Sequence, residues 1–224
     1  MLTLAIDTSG EFGSIALLDD AEVVDEVLLH EPAGFGGVIF DRIGDLLARN
    51  GRKLDDVDVL AAASGPGSFT GVRIGLAAVK GLGEVQGKPV AAVSTLEAVG
   101  EFSQHPLRAV VLDARRGEVY AALFDDGGPG IAESVMPFPS FLAQLGSVAG
   151  AREFEWVSTD FEPFADALAG TPFATMPVAR APRALASAIG RIAFQRAADG
   201  KVPDAALAEA NYVRRSDAEL LWKG

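Results

Sequence analysis

The stretch Asp7-TSGEFGSIALL-Asp19-Asp20 aligns without a gap on Asp113-ARRGEVYAALF-Asp125-Asp126, so the chain writes one pattern twice at an offset of 106 residues (113 − 7). Each copy opens with an apolar run closing on Asp, Leu2 to Ile6 in the first and Ala109 to Leu112 in the second. Each then turns within a few residues and returns as a second apolar run ending in Asp-Asp, which is the pattern of a β-hairpin. A repeated hairpin start makes two similar sheets, one per half, the simplest architecture.

The first half continues with a third strand (Glu22 to Leu29) and a helix at about Gly36 to Arg49. Val38, Ile39, Ile43, Leu46 and Leu47 give that helix one apolar face, and Asn50-Gly51 ends it. A strand at Val57 to Ala63, a helix from Gly71 onward, a strand at Val90 to Val93 and a short helix follow. Ser94 and Glu97 form a capping box for the last of these. The second half reads in the same order: hairpin, strand (Ile131 to Met136), helix (Phe138 to Leu145), strand (Phe154 to Ser158), helix (Phe161 to Leu168), strand near Phe173 to Met176, helix (Arg183 to Ala198). Both halves are expected to be βββαβαβα, an α/β fold of two mixed-sheet lobes with helices on their faces. The expected boundaries are 1–105 and 106–205, with a C-terminal tail over 206–224 that can pack back on the first lobe. The cleft of such a fold is the default place for a ligand.

Between the strand Val57 to Ala63 and the next helix lies SGPGSFTGVRIGLAAVKGL, Ser64 to Leu82. A loop that opens a helix presents unpaired N–H groups and the positive end of the helix dipole, and so can hold a phosphate. Gly65 to Gly71 encloses five residues and is followed by Val72-Arg73, which is not the spacing or the lysine of a P-loop. Gly65 and Gly67 match the start of the dinucleotide fingerprint, but position 70 is Thr and the strand Val90 to Ser94 brings no ribose-binding acid. Packing is the other use of such a loop. Gly71, Gly75, Ala78, Val79 and Gly83 line one face of the helix with small side chains, which lets another helix, or the chain's own sheet, approach closely.

The chain has no cysteine, so thiol nucleophiles, disulfides and thiolate metal sites are excluded together. Its two histidines, His30 and His105, are not at metal-ligand spacing, and no metal site is expected. With 31 acidic and 19 basic residues the net charge is −12, which opposes autonomous binding of nucleic acid. No segment has the length of a membrane span or the form of a signal peptide, so a cytoplasmic protein is expected.

The segments LAIDTS (Leu4 to Ser9), SGPGSFTGVRIGLAAVKGL, VSTLEA (Val93 to Ala98), LDARRGEVY (Leu112 to Tyr120) and AEANYVRR (Ala208 to Arg215) resemble those of the TsaB family, also called YeaZ. The resemblance implies the two-lobed actin-like ATPase (ribonuclease H-like) fold. It also implies a non-catalytic dimerisation subunit for a TsaD-like catalytic partner. With a TsaE-like ATPase, that complex transfers a threonylcarbamoyl group to the adenosine beside the anticodon of tRNA. The catalytic paralogue holds its metal through a His-x-x-x-His pair, which this chain lacks, so neither transferase nor peptidase activity is expected of it alone. The implied partners are the TsaD-like and TsaE-like proteins, a second copy when the chain is alone, and tRNA only through the complex. No intrinsic cofactor is implied; ATP or ADP with Mg²⁺ would bind weakly or within the complex.

By the same resemblance the subunit interface lies on the helix Gly36 to Arg49 and on the one after the glycine loop, with Phe35, Ile39, Gly71, Arg73, Ile74, Gly75, Ala78 and Val79 as its residues. The alternative is that the small face packs only on its own sheet. Asp7 and Asp113 stand in the hairpin turns where kinases of this fold contact metal or phosphate, and are the candidate cofactor residues. Each can equally cap its own turn through its side chain. Arg73 sits in the first helical turn, where a cation is disfavoured unless an anion is near, which suggests a partner carboxylate, a phosphate or a solvated side chain. Arg115 and Arg116 pose the same choice in the second hairpin. The chain departs from the family pattern at Phe35-Gly36, where a His-Ser or His-Thr pair is common, at Asp41, where Pro is frequent, and at Asn211. The competing reading of the lobed fold and paired aspartates is an autonomous ATPase or small-molecule kinase.

Overall fold

The computed structural model describes residues 1–202 and 205–213. Most of the expected 206–224 tail, including Arg214 and Arg215 of the last family-like motif, lies outside the described residues. Two compact units form, Met1–Ala98 with Arg183–Tyr212, and Val99–Pro182.

The first unit is built on a five-stranded sheet. Strands β1 (Leu2–Asp7), β2 (Phe12–Asp19) and β3 (Glu22–His30) form an antiparallel meander, and β4 (Val59–Gly65) and β5 (Val90–Ser94) add in parallel beside β1. The order is β3-β2-β1-β4-β5. Both β1 and β4 are buried along their full length, which is why they read as unbroken apolar or small-residue runs rather than alternating ones. Helices α1 (Ile39–Arg49) and α2 (Phe69–Gln86) pack their apolar stripes on this sheet, and α3 (Thr95–Gly100) follows β5. Helix α1 starts later than its pattern suggests, because Phe35–Gly37 forms a separate 3-10 turn ahead of it.

The second unit repeats the plan with β6 (Leu107–Asp113), β7 (Glu118–Asp125), β8 (Ile131–Pro137), α4 (Phe138–Ala149), β9 (Glu155–Ser158), α5 (Ala165–Leu168) and β10 (Val178–Arg180). Its order, β10-β9-β6-β7-β8, is that of the first sheet read from the other edge, so the duplication seen in the hairpins extends to the whole sheet. Trp156 is fully buried in its core, with Phe138, Phe141 and Phe154 around it.

The edge strand and the last helix also differ from expectation. Residues 171–176 form turns, and the edge strand begins two residues later at Val178. The Trp156 indole N–H donates to the Phe173 carbonyl at 3.1 Å, and a buried donor of this kind fixes its acceptor in an irregular conformation. Helix α6 (Ala186–Ala198), read in the sequence as the end of the second lobe (106–205), packs on the first sheet. Its entrance is tied there: the Ser14 hydroxyl accepts from the Leu185 and Ala186 N–H groups at 3.0 and 2.9 Å, and the Glu26 carboxylate accepts from Ser187 N–H at 2.8 Å. Farther along, Gly190 lies against Leu18 so closely that a Cβ has no room, and Arg196 bonds both Glu97 and the Ala92 carbonyl.

Candidate functional site

The glycine loop is filled by the chain itself. Ser68 N–H donates to the Ser9 carbonyl at 2.6 Å, and a Cβ at Gly67 would collide with that same oxygen. One turn on, a Cβ at Gly71 would collide with the Thr8 carbonyl, while the Thr8 hydroxyl donates to the Gly71 carbonyl at 2.7 Å. Ser68 caps α2 with its hydroxyl, accepting from Gly71 N–H at 3.2 Å. The glycines are therefore there to let the first hairpin turn approach, and two protein carbonyl oxygens stand where a phosphate cradle would hold its anion. On the other side of the loop Asn211 N–H donates to the Ser64 carbonyl at 2.7 Å.

Asp7 is buried and caps its own turn, its Oδ1 accepting from Ser9 N–H at 2.8 Å and Ser9 Oγ at 2.7 Å. Burial pushes its carboxyl above the ordinary range; the two Ser9 bonds offset part of that, and the charge of Glu26 adds to it. Asp113, at the matching turn of the other sheet, is exposed and accepts from Arg115 N–H at 2.8 Å, with the Arg115 guanidinium 3.6 Å from its second oxygen. Both aspartates thus have turn-capping geometry. That second turn winds left-handed through Arg115 (φ 65°), Arg116 (φ 58°) and Gly117 (φ 76°). Among the described residues no group of three or more His, Asp or Glu side chains is placed to hold a metal ion.

The expected interface residues separate into two sets. Gly71, Gly75, Ala78 and Val79 are buried, with Gly75 against Thr8, Ala62 and Ile6 of the chain's own sheet. Phe35 and Ile39 are buried as well, the Phe35 ring lying over Gly13. All six are buried within the chain itself. The small face of α2 is spent on close helix-to-sheet contact, and Phe35, where the family pattern differs, fills the space above a glycine in β2. Arg73 is exposed and Ile74 half-buried against Gly36. The outward side of these helices carries residues that sequence reasoning missed: Phe40, 57% exposed on α1, and Phe69 and Val85 on α2, with Gly44 and Gly81 facing open space. The i, i+4 spacing from Phe69 through Arg73, Ala77 and Gly81 to Val85 was the available signal.

Arg73 belongs to a compact cluster. Its guanidinium lies 3.4 Å above the Phe69 ring centroid and 5.6 Å from that of Tyr212, and Nε donates to the Tyr212 hydroxyl at 2.9 Å. The segment that delivers Tyr212 is held along α2 by burial of Ala205 and Ala208 and by Lys80 Nζ, which donates to the Ala208 carbonyl at 2.9 Å. No helix among the described residues is long and apolar enough to cross a membrane.

The family model described as TsaD, tRNA N6-adenosine threonylcarbamoyltransferase, matches residues 38–154, just over half of the chain. The tRNA threonylcarbamoyladenosine biosynthesis protein TsaB of Bacillus subtilis is 35% identical over 61% of this chain and 60% of its own length. The protein of the same name from Escherichia coli is 39% identical over 58% of each. The chain thus spans less than two thirds of the length of these curated relatives. A Pseudomonas aeruginosa crystal structure, of a protein described as similar to peptidase YEAZ, superposes with a TM-score of 0.75 at 27% identity. That match covers 95% of this chain and 99% of the other.

Proposed function

The chain belongs to the TsaD/TsaB family, and from that membership we propose that it is a non-catalytic scaffold subunit of a tRNA threonylcarbamoyltransferase complex, supporting a TsaD-like catalytic subunit. The observation that carries the non-catalytic part is the closed glycine loop: the Thr8 and Ser9 carbonyls occupy the mouth of the helix that could otherwise bind phosphate. Asp7 fits the same reading, since its Oδ1 is committed to Ser9 and its surroundings disfavour charge. Assembly uses the outward side of α1 and α2, where Phe40, Ile74 and Val85 offer apolar surface and Gly44 and Gly81 let a partner helix come close. A TsaE-like ATPase joins the assembled pair, a second copy takes the same face when the chain is alone, and tRNA is reached through the complex.

Omission from a reconstituted reaction tests this. The TsaD-like and TsaE-like proteins of the same organism, with ATP, tRNA and threonylcarbamoyl-adenylate, should transfer the group only when this chain is added. The chain alone should transfer none. Full transfer without it would overturn the scaffold reading, and steady-state phosphate release by the pure chain that Asp7→Ala abolishes would replace that reading with an autonomous ATPase or kinase.

A further inference from the structure

We propose that Arg73 is a preformed receptor for a carboxylate on the partner protein, an inference that rests on the assembly reading above and gives its face a specific anchor. The arginine is in the first turn of the 18-residue helix α2, at the dipole end that disfavours a cation. Among the described residues no Asp or Glu comes within 4.0 Å of it, although the chain holds 31 acidic side chains. Arg42, Arg49, Arg108, Arg115, Arg152 and Arg196 each have such a partner.

What holds Arg73 in place is aromatic. Stacking over Phe69 fixes the plane of the guanidinium, and the Tyr212 hydroxyl fixes Nε. The edge formed by its two terminal nitrogens takes no part in these contacts, and it is the edge whose paired N–H groups match the two oxygens of a carboxylate. Tyr212 is delivered by a segment anchored at Ala205, Ala208 and Asn211, so the cluster is built from both chain segments of the first unit. A cation already oriented and stripped of part of its water by two rings binds an anion at less entropic cost than a free side chain.

A protein carboxylate fits better than an RNA phosphate. The Phe69 and Tyr212 rings flank the guanidinium, and such an aromatic rim suits a buried protein contact. The net charge of −12 repels a polyanion, and in the neighbouring loop the Ser68 and Gly71 N–H groups already donate to protein oxygens.

The test is the affinity of the full chain for the TsaD-like subunit of the same organism, measured by calorimetry on variants with unchanged circular dichroism and melting temperature. Arg73→Gln should weaken binding at least about 10-fold, Arg73→Lys should fall between it and wild type, and Tyr212→Phe should weaken binding less than Arg73→Gln does. Arg73→Glu should be rescued by placing Lys at one acidic position of the partner. Phe40→Asp serves as the separate probe of the face. If it abolishes binding while Arg73→Gln stays within about twofold of wild type, the receptor is overturned and the face stands. If neither variant alters binding, the face itself is wrong. Unchanged subunit affinity of Arg73→Gln together with weaker tRNA retention by the assembled complex would make phosphate the ligand and overturn the proposal. Should Arg73→Gln fail to fold, Arg73→Lys and Tyr212→Phe decide: both at wild-type affinity overturns it.

Discussion

Thr8 and Gly71 meet through two contacts at once: the Thr8 hydroxyl donates to the Gly71 carbonyl at 2.7 Å, and the Thr8 carbonyl occupies the place a side chain at residue 71 would need. Backbone rather than a flexible side chain stands in the way, so the loop cannot give cheaply. Gly71→Ala should therefore lower stability by at least about 1–3 kcal/mol, the usual cost of overpacking. Gly81, on the open side of the same helix, provides the control: Gly81→Ala has space and improves helix propensity, so it should add roughly 0.5–1 kcal/mol. Urea unfolding of both variants checks the pair. Equal effects would mean that the contact with Thr8 does not constrain the loop.

Much of this arrangement was legible in the sequence, for reasons that also mark where legibility stops. The hairpin duplication announced two like sheets because strand pattern and turn spacing are local properties, and both sheets have the same strand order. The small face of α2 was equally plain, but a row of Gly and Ala says only that something comes close. It does not say whether that is a partner or the protein's own Thr8 and Ala62. Phe35 was no more explicit, since its place over Gly13 depends on a contact 22 residues away. The Arg73 cluster joins residues 139 positions apart, and no local pattern carries that.

Asp7 should destabilise the fold at neutral pH. Its folded-state pKa is raised, chiefly by burial, so the stability linked to its protonation is fully present below the unfolded pKa and is lost as pH rises through the folded value. Asp7→Asn keeps an oxygen for the Ser9 N–H and hydroxyl while removing the buried charge. The variant should be at least as resistant to urea as wild type at pH 7 to 8, and its advantage should shrink as the solution is acidified. An advantage that does not vary with pH, or a less stable variant at neutral pH, would show that the charged form is held by contacts beyond those with Ser9.

Ser14 is the test of where α6 belongs. Its buried hydroxyl accepts two N–H groups at the start of that helix from a strand about 170 residues earlier in the chain. Ser14→Ala leaves both donors buried without that acceptor and should cost about 1–3 kcal/mol. Hydrogen exchange should show the loss first at the amides of Leu185 and Ala186, then along α6. Protection unchanged at those amides would mean the helix is not tied to β2 as described.

The left-handed turn at Arg115 makes the opposite kind of prediction, since a gain in stability is expected from removing a side chain. A non-glycine residue at φ 65° costs roughly 1–2 kcal/mol in backbone sterics. In return Arg115 has one exposed ion pair with Asp113 at 3.6 Å, worth about 0–1 kcal/mol at most. The bond that organises the turn is made by its backbone N–H, which donates to the Asp113 carboxylate and is kept in any non-proline variant. Arg115→Gly should therefore raise stability by about 0.5–1 kcal/mol, read as a higher urea midpoint with an unchanged slope. Salt separates the terms: the ion pair is screened and the steric gain is not, so the difference from wild type should widen in 0.5 M NaCl. A variant less stable than wild type at both salt concentrations would mean that the arginine side chain holds the turn and that the backbone is not its cost.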